Sequence, residues 1–308
     1  MSEKVGCGLM LAGGSREATL GQARLAESFG FDSLWVGDHV AFHVPMLDSL
    51  SLLTFLAAAT SRVTLGTCVY LLPLRHPTHV AKQTATVDVL SGGRLVFGIG
   101  VGGEFPPEFD ASGVPVRERG ARADEAMPLL RRLWSEQDVV HEGPHFRFGP
   151  VSLEPKPAQA GGPPMWVGGR SPAAMRRAGR LGDGWVSTMT SPDRFRENLA
   201  RIAEHREAAG RSARPFVPAA LLFTALADAY EPALDRASAL LERLYARPFR
   251  EAAAKYCLLG RPADCLEQAA RFVEAGARHI VLAPLGDPNG FAERAGRELV
   301  PGLRELGE

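Results

Sequence analysis

Two short stretches of this 308-residue chain carry groups able to move a proton or hold an anion. The first is Asp38-His39, directly behind the apolar run at 33–36. Histidine is the side chain that exchanges a proton near neutral pH, and an adjacent carboxylate can fix a cofactor or a substrate donor. A capping aspartate beside a packing histidine is the purely structural alternative. The second stretch is Gly168-Gly169-Arg170-Ser171, followed by Pro172. Paired glycines let the backbone approach a ligand closely. Serine at the N-cap with proline at the first helical position opens a helix, whose free N–H groups and positive dipole end favour an anion. Arg170 and the Ser171 hydroxyl add donors, so a phosphate is expected here; a tight turn with an exposed arginine is the alternative.

Other patterns carry less chemistry. The run Gly98-Ile99-Gly100-Val101-Gly102-Gly103 resembles a dinucleotide motif, but no suitable acidic residue follows it. Read alone, it is a strand-end packing motif with a flexible loop, and Glu104 either lines a pocket or is solvated. Cys68 reads as a small buried residue. His76, His79, His141 and His145 lack metal-ligand spacing, and no metal is expected. No GxSxG elbow, P-loop or HExxH occurs.

Composition narrows the classes. Lys plus Arg and Asp plus Glu both number 35, so no net charge draws the chain to nucleic acid or to an anionic membrane. No apolar run approaches the roughly 18 residues of a membrane span. The four cysteines form no CxxC pair, which points to a reducing compartment, the cytoplasm.

The elements that must position these groups alternate. Residues 63–69 read as a strand, 78–90 as a helix and 95–100 as a strand, the pattern of a parallel βαβ unit. Further strands are expected at 5–11, 33–36, 165–167, 182–186, within 216–225 and at 279–283, with helices between them. Residues 141–154 read as a hairpin around Gly143-Pro144, and the helical stretch 230–256 reads as an insertion. Eight strands each followed by a helix predict one (β/α)8 TIM barrel domain over 1–308, with insertions in the loops at the carboxyl ends of strands. Chemistry in such a barrel sits at those carboxyl ends, where both candidate stretches fall.

Five segments in order, GFDSLWVGDHV at 30–40, RHPTHVAKQTATVDVLSGGRLVFGIGVGG at 75–103, and those at 119–134, 163–185 and 260–282, resemble the bacterial luciferase-like superfamily. The Trp35-x-Gly37-Asp38-His39 form resembles its coenzyme F420-dependent oxidoreductase branch. That resemblance implies a (β/α)8 barrel and F420, or alternatively FMN with monooxygenase chemistry. It implies His39 and Asp38 as catalytic residues, with Asp38 also at the cofactor. It further implies a non-prolyl cis peptide near Cys68-Val69 behind the deazaflavin ring, Gly102 and Gly103 beside the cofactor, and a phosphate loop over Gly168, Gly169, Arg170 and Ser171. A small-molecule substrate and a homodimer through helices two and three are implied as well. Sugar-phosphate dehydrogenases of the superfamily carry an acid directly after the G-x-G-x-G run, where Gly103 stands here with Glu104 one step later. They also carry a Trp after the Asp-His pair, where this chain has Phe42-His43 nearby. Glucose 6-phosphate is therefore not the expected substrate.

Overall fold

In a computed structural model that describes residues 4–11 and 13–307, eight parallel strands close into a ring. In chain order the strands are β1 Gly6–Met10, β2 Ser33–Val36, β3 Thr64–Thr67, β4 Tyr70–Leu71, β5 Leu95–Gly100, β6 Val139–Glu142, β7 Arg147–Val151, β8 Met165–Gly168, β9 Gly184–Thr188, β10 Val217–Leu226, β11 Leu258–Gly260 and β12 His279–Pro284. The helices are α1 Arg16–Ser28, α2 Ser49–Ala59, α3 Pro77–Ser91, α4 Pro106–Ala111, α5 Arg119–Ser135, α6 Pro172–Leu181, α7 Pro192–Ala208, α8 Tyr230–Tyr245, α9 Arg250–Tyr256, α10 Pro262–Glu274, α11 Pro288–Glu298 and α12 Val300–Glu305. The ring runs β1-β2-β3-β5-β8-β9-β10-β12 and returns to β1, where Gly6 to Leu9 pair with His279 to Leu282. This is the expected TIM barrel. Strands β6 and β7 form the expected antiparallel hairpin outside it.

Four local features depart from the sequence reading. Strand three stops at Thr67 and resumes as β4, because residues 68 and 69 bulge. The Gly- and Pro-rich loop after β5 contains the short helix α4, started by Pro106 and Pro107. The insertion 230–256 is two helices joined at Ala246, and a further strand, β11, pairs with β10 outside the ring. The last helix breaks near Leu299, where Pro301 cannot continue the hydrogen-bond ladder of α11.

Large aromatic rings fill the barrel interior because facing strands present glycine. Trp35 and Trp166 lie with ring centroids 4.9 Å apart. A Cβ on Gly66 would come within 2.3 Å of the Trp35 ring, and one on Gly184 within 2.6 Å of Trp166. His279 closes this cluster edge-on. Trp35 Nε1 donates to Ser33 Oγ at 2.7 Å, and Ser33 Oγ lies 2.8 Å from His279 Nε2. The hydroxyl accepts from the indole and also pairs with the imidazole, so it links the two rings.

Burial pushes His279 down to about 4, against a weaker opposing pull from Asp32. A histidine depressed in the folded state binds its proton more readily when unfolded, so stability is full above its ordinary pKa and falls as pH drops from about 6.5 towards 4. The loss expected at the lower end is about 3 kcal/mol. Urea unfolding at pH 7 and pH 4.5 measures it; an equal acid loss in His279→Asn would remove His279 as the cause.

Candidate active site

Strand β2 delivers Gly37, Asp38 and His39 to the carboxyl end of the barrel. The Asp38 carboxylate is buried and fully engaged. One oxygen accepts from Ser49 Oγ at 2.9 Å and Arg75 Nη2 at 3.0 Å; the other accepts from Leu71 N at 2.9 Å and from Arg75 Nη1. Four donors use the acceptor capacity of a carboxylate. Asp38 thus ties together the end of β2, the start of α2 and the backbone just past the β3 bulge. Arg75 stacks on Tyr70, 4.4 Å from the ring centroid. Burial opposes its charge, and Asp38, with Tyr70 and Asp48 behind it, more than offsets that.

His39 faces the other way. Its Nδ1 lies 3.1 Å from both oxygens of Glu108, a fully buried residue of α4. Glu108 also accepts the Val40 N–H at 3.1 Å. Phe42 stacks on the imidazole, centroids 3.9 Å apart and rings 11° from parallel. Phe105 meets Phe42 and His43 edge-on, at 6.0 and 4.7 Å. The loops after β2 and β5 are therefore clasped along one side of the mouth. His39 Nε2 has no hydrogen-bond partner among the described residues and points its lone functional atom away from Glu108.

The peptide between Cys68 and Val69 is cis, in the bulge where the resemblance placed it. Three strand ends meet there through glycine. A Cβ on Gly98 would sit 1.9 Å from the Thr67 carbonyl oxygen; on Gly100 or Gly168 it would strike the Val69 methyls at 2.3 and 2.7 Å. Burial pushes the Cys68 thiol up to about 12, so it is no thiolate nucleophile near neutral pH. Gly102 and Gly103 follow β5 with φ of 61° and 114°, which side chains rarely adopt. A Cβ at 103 would also lie 3.0 Å from Arg119 Nε, so any side chain directly after the glycine run would be strained in this loop conformation and would crowd that arginine.

Gly168 ends β8, and Gly169 turns with φ 117° to meet α6. Ser171 caps that helix by accepting from Ala174 N at 3.2 Å. Trp185 Nε1 donates to the Gly169 carbonyl at 2.7 Å, and Arg170 Nη1 donates to the Met189 carbonyl at 2.7 Å. The loop is held by its carbonyls, which leaves Arg170 and Ser171 exposed at the mouth above a ten-residue helix. Opposite, Tyr245 at the end of α8 is pushed up to about 12 by burial, and Glu104 adds to that while Arg247 and Arg170 oppose it. The insertion thus reaches the same mouth. His76 and His79 line a separate groove against Phe148 and Val151 of the hairpin. Among the described residues, no three His, Cys, Asp or Glu side chains group closely enough to hold a metal ion.

The expected site residues fall on strand ends that adjoin one another: His39 and Asp38 on β2, Cys68 and Val69 behind β3, Gly102 and Gly103 behind β5, and 168–171 behind β8. The sequence reading missed Arg75 and Glu108. Arg75 lies in a motif whose glycine and histidine neighbours drew attention instead. Glu108 lies 69 residues from His39, on a helix that the loop composition concealed.

Residues 3–296 match the luciferase-like monooxygenase family. The chain belongs to that family. It is 30% identical to an F420-dependent glucose-6-phosphate dehydrogenase from Intrasporangium calvum, over 91% of this chain and 93% of that one. It is 32% identical to the enzyme of that name from Beutenbergia cavernae, over 91% of each. Among solved structures it resembles an F420-dependent secondary alcohol dehydrogenase in complex with an F420-acetone adduct, with TM-score 0.87, 22% identity and coverage of 98% and 99%. The last likeness supports the fold; the first three findings establish the family that the five motifs suggested.

Proposed function

We propose that this family member is an F420-dependent oxidoreductase acting on a small organic substrate, with His39 Nε2 as the atom that takes or gives the accompanying proton. The observation that carries the reading is the free Nε2 of an anchored imidazole at the carboxyl end of β2, the strand that pairs with β3 just before the Cys68-Val69 bulge. The names of the full-length relatives support the cofactor. When bound, F420 supplies a two-electron hydride carrier with little reactivity toward oxygen.

The residues present fit such a group. The bulge offers a part-exposed wall at 68–69, made possible by Gly98, Gly100 and Gly168. The backbone of Gly168 and Gly169, the start of α6, Arg170 and Ser171 suit a phosphate. Gly102 and Gly103 keep the floor of the mouth free of side chains. Asp38 enters as a positioning residue, since its carboxylate holds Leu71 and Arg75 in place around the bulge. Phe42 and the clasped loops shield one face of His39 from water.

The aromatic wall of Phe42, His43 and Phe105, and the glycine-only geometry at 103, argue against copying the sugar-phosphate specificity of the relatives. Hydride exchange with a less polar alcohol or carbonyl compound suits the wall better. A cytoplasmic homodimer belongs to the same proposal: four free cysteines suit a reducing compartment, and Val89 and Leu90 leave α3 with an exposed apolar edge.

Equilibrium titration of the purified chain with F420 and with FMN tests the reading. F420 is expected to bind at least about 10-fold more tightly, a difference of about 1.4 kcal/mol, to a species whose sedimentation mass is that of two chains. Preference for FMN would overturn the F420 assignment and turn the search to oxygen consumption; a one-chain mass would remove the dimer.

A further inference from the structure

We infer that Glu108 sets the tautomer of His39, holding the proton on Nδ1 so that a bare Nε2 faces the site. Both Glu108 oxygens stand 3.1 Å from Nδ1, and Nε2 has no hydrogen-bond partner among the described residues. A carboxylate only accepts, so the imidazole nitrogen facing it must be the donor. The same carboxylate accepts the Val40 N–H, which fixes its plane against the loop that carries His39. Glu108 is fully buried and His39 is 17% exposed, so water does not compete for the first and reaches only the outer edge of the second. Phe42, stacked at 3.9 Å, blocks the ring from flipping over to exchange its two nitrogens.

The consequence is directional. With Nδ1 occupied, the neutral ring can only accept at Nε2, and the doubly protonated ring can only release from Nε2. Glu108 is fully buried behind His39 and acts through it, so it is a positioning residue. Its sequence position supports no such role by itself; the pairing arises because α4 folds back over the end of β2. The tautomer assignment rests on geometry alone, while its effect on turnover rests on the proposed proton role of His39.

Glu108→Gln separates the two. The amide oxygen can still accept from Val40 N–H, so the loop anchor survives. The amide N–H₂ then also faces Nδ1 and competes with that oxygen, so the ring form protonated on Nε2 gains a partner that Glu108 cannot offer. The test is carried out on the full chain, with and without F420, labelled with ¹⁵N-histidine; the His39 signals are assigned by their absence in His39→Gln. In the wild type the neutral ring is expected to show a protonated Nδ1 and a bare Nε2. In Glu108→Gln the ring form protonated on Nε2 is expected to gain population, with kcat lower by up to roughly 10⁴-fold, the loss of a wrong-tautomer histidine, and F420 affinity changed by less than about 3-fold. A wild-type ring protonated at Nε2 overturns the inference, whether or not the variant folds. Glu108→Leu offers Nδ1 no acceptor, and a folded Glu108→Leu protein whose ring keeps the wild-type tautomer overturns it too. A reversed tautomer with unchanged kcat upholds the role of Glu108 and sinks the proton role of His39 instead.

Discussion

His39→Ala is expected to lower kcat by roughly 10²–10⁴-fold, the range associated with losing a positioned general acid or base, while F420 binding stays close to wild type. The separation follows from where the groups sit. The anion loop at 168–171 and the bulge at 68–69 hang from β8 and β3, and neither draws a hydrogen bond from His39. What the variant removes is Nε2 and the ring that Phe42 covers. Nearby titratable groups are poor substitutes. His43 packs against Phe105, and Glu104 is exposed on the far loop beside Tyr245. Fluorescence titration with F420, followed by steady-state turnover on the best alcohol or carbonyl substrate from a screen, checks both halves. Full turnover in the variant would strike His39 from the mechanism. Loss of cofactor binding along with activity would mean that the imidazole mainly supports the ring.

The contrast between Asp38 and His39 shows what the sequence could and could not convey. Their adjacency just behind a short strand singled the pair out as the candidate. The fold gives them different tasks. His39 turns to Glu108 and Phe42, and Asp38 turns into a network that only the fold assembles: Ser49 from α2, Leu71 past the bulge and Arg75 before α3. None of these partners is recognisable by spacing, since the contacts span 11, 33 and 37 residues. The barrel was legible because its period is local: apolar runs of strand length, Ser-Pro helix starts at 171 and 191, and glycines behind helices. Helix α4 was not legible. Six residues bearing two prolines look like a loop, and the clasp of Glu108 onto His39 and Val40, with Phe109 buried against Leu71 and Leu74, gives them a reason to be helical. Strand β11 was hidden for a related reason, since three residues carry no periodicity and take their structure from pairing with β10.

Arg75→Met should be the most damaging single change to stability outside the aromatic core. In the wild type the Asp38 carboxylate is shut off from water and balanced by a guanidinium that meets both of its oxygens. Methionine fills much of the space of the arginine stem and keeps contact with Tyr70, but leaves the charge with only a hydroxyl and one backbone N–H. Breaking a buried pair by removing one partner typically costs about 3–5 kcal/mol, because the remaining charge is uncompensated. Asp38→Asn with Arg75→Met should recover much of that loss, since an amide can still accept from Leu71 N and carries no charge to strand. Urea unfolding of the wild type, the single variant and the double variant measures the three stabilities under one condition. If the double variant is no more stable than Arg75→Met, the damage comes from lost packing over Tyr70 rather than from the stranded carboxylate. Recovery of stability without recovery of turnover would show the further point that the pair exists for placement. The network would then be holding Leu71 and the bulge against the end of β2, from which His39 extends.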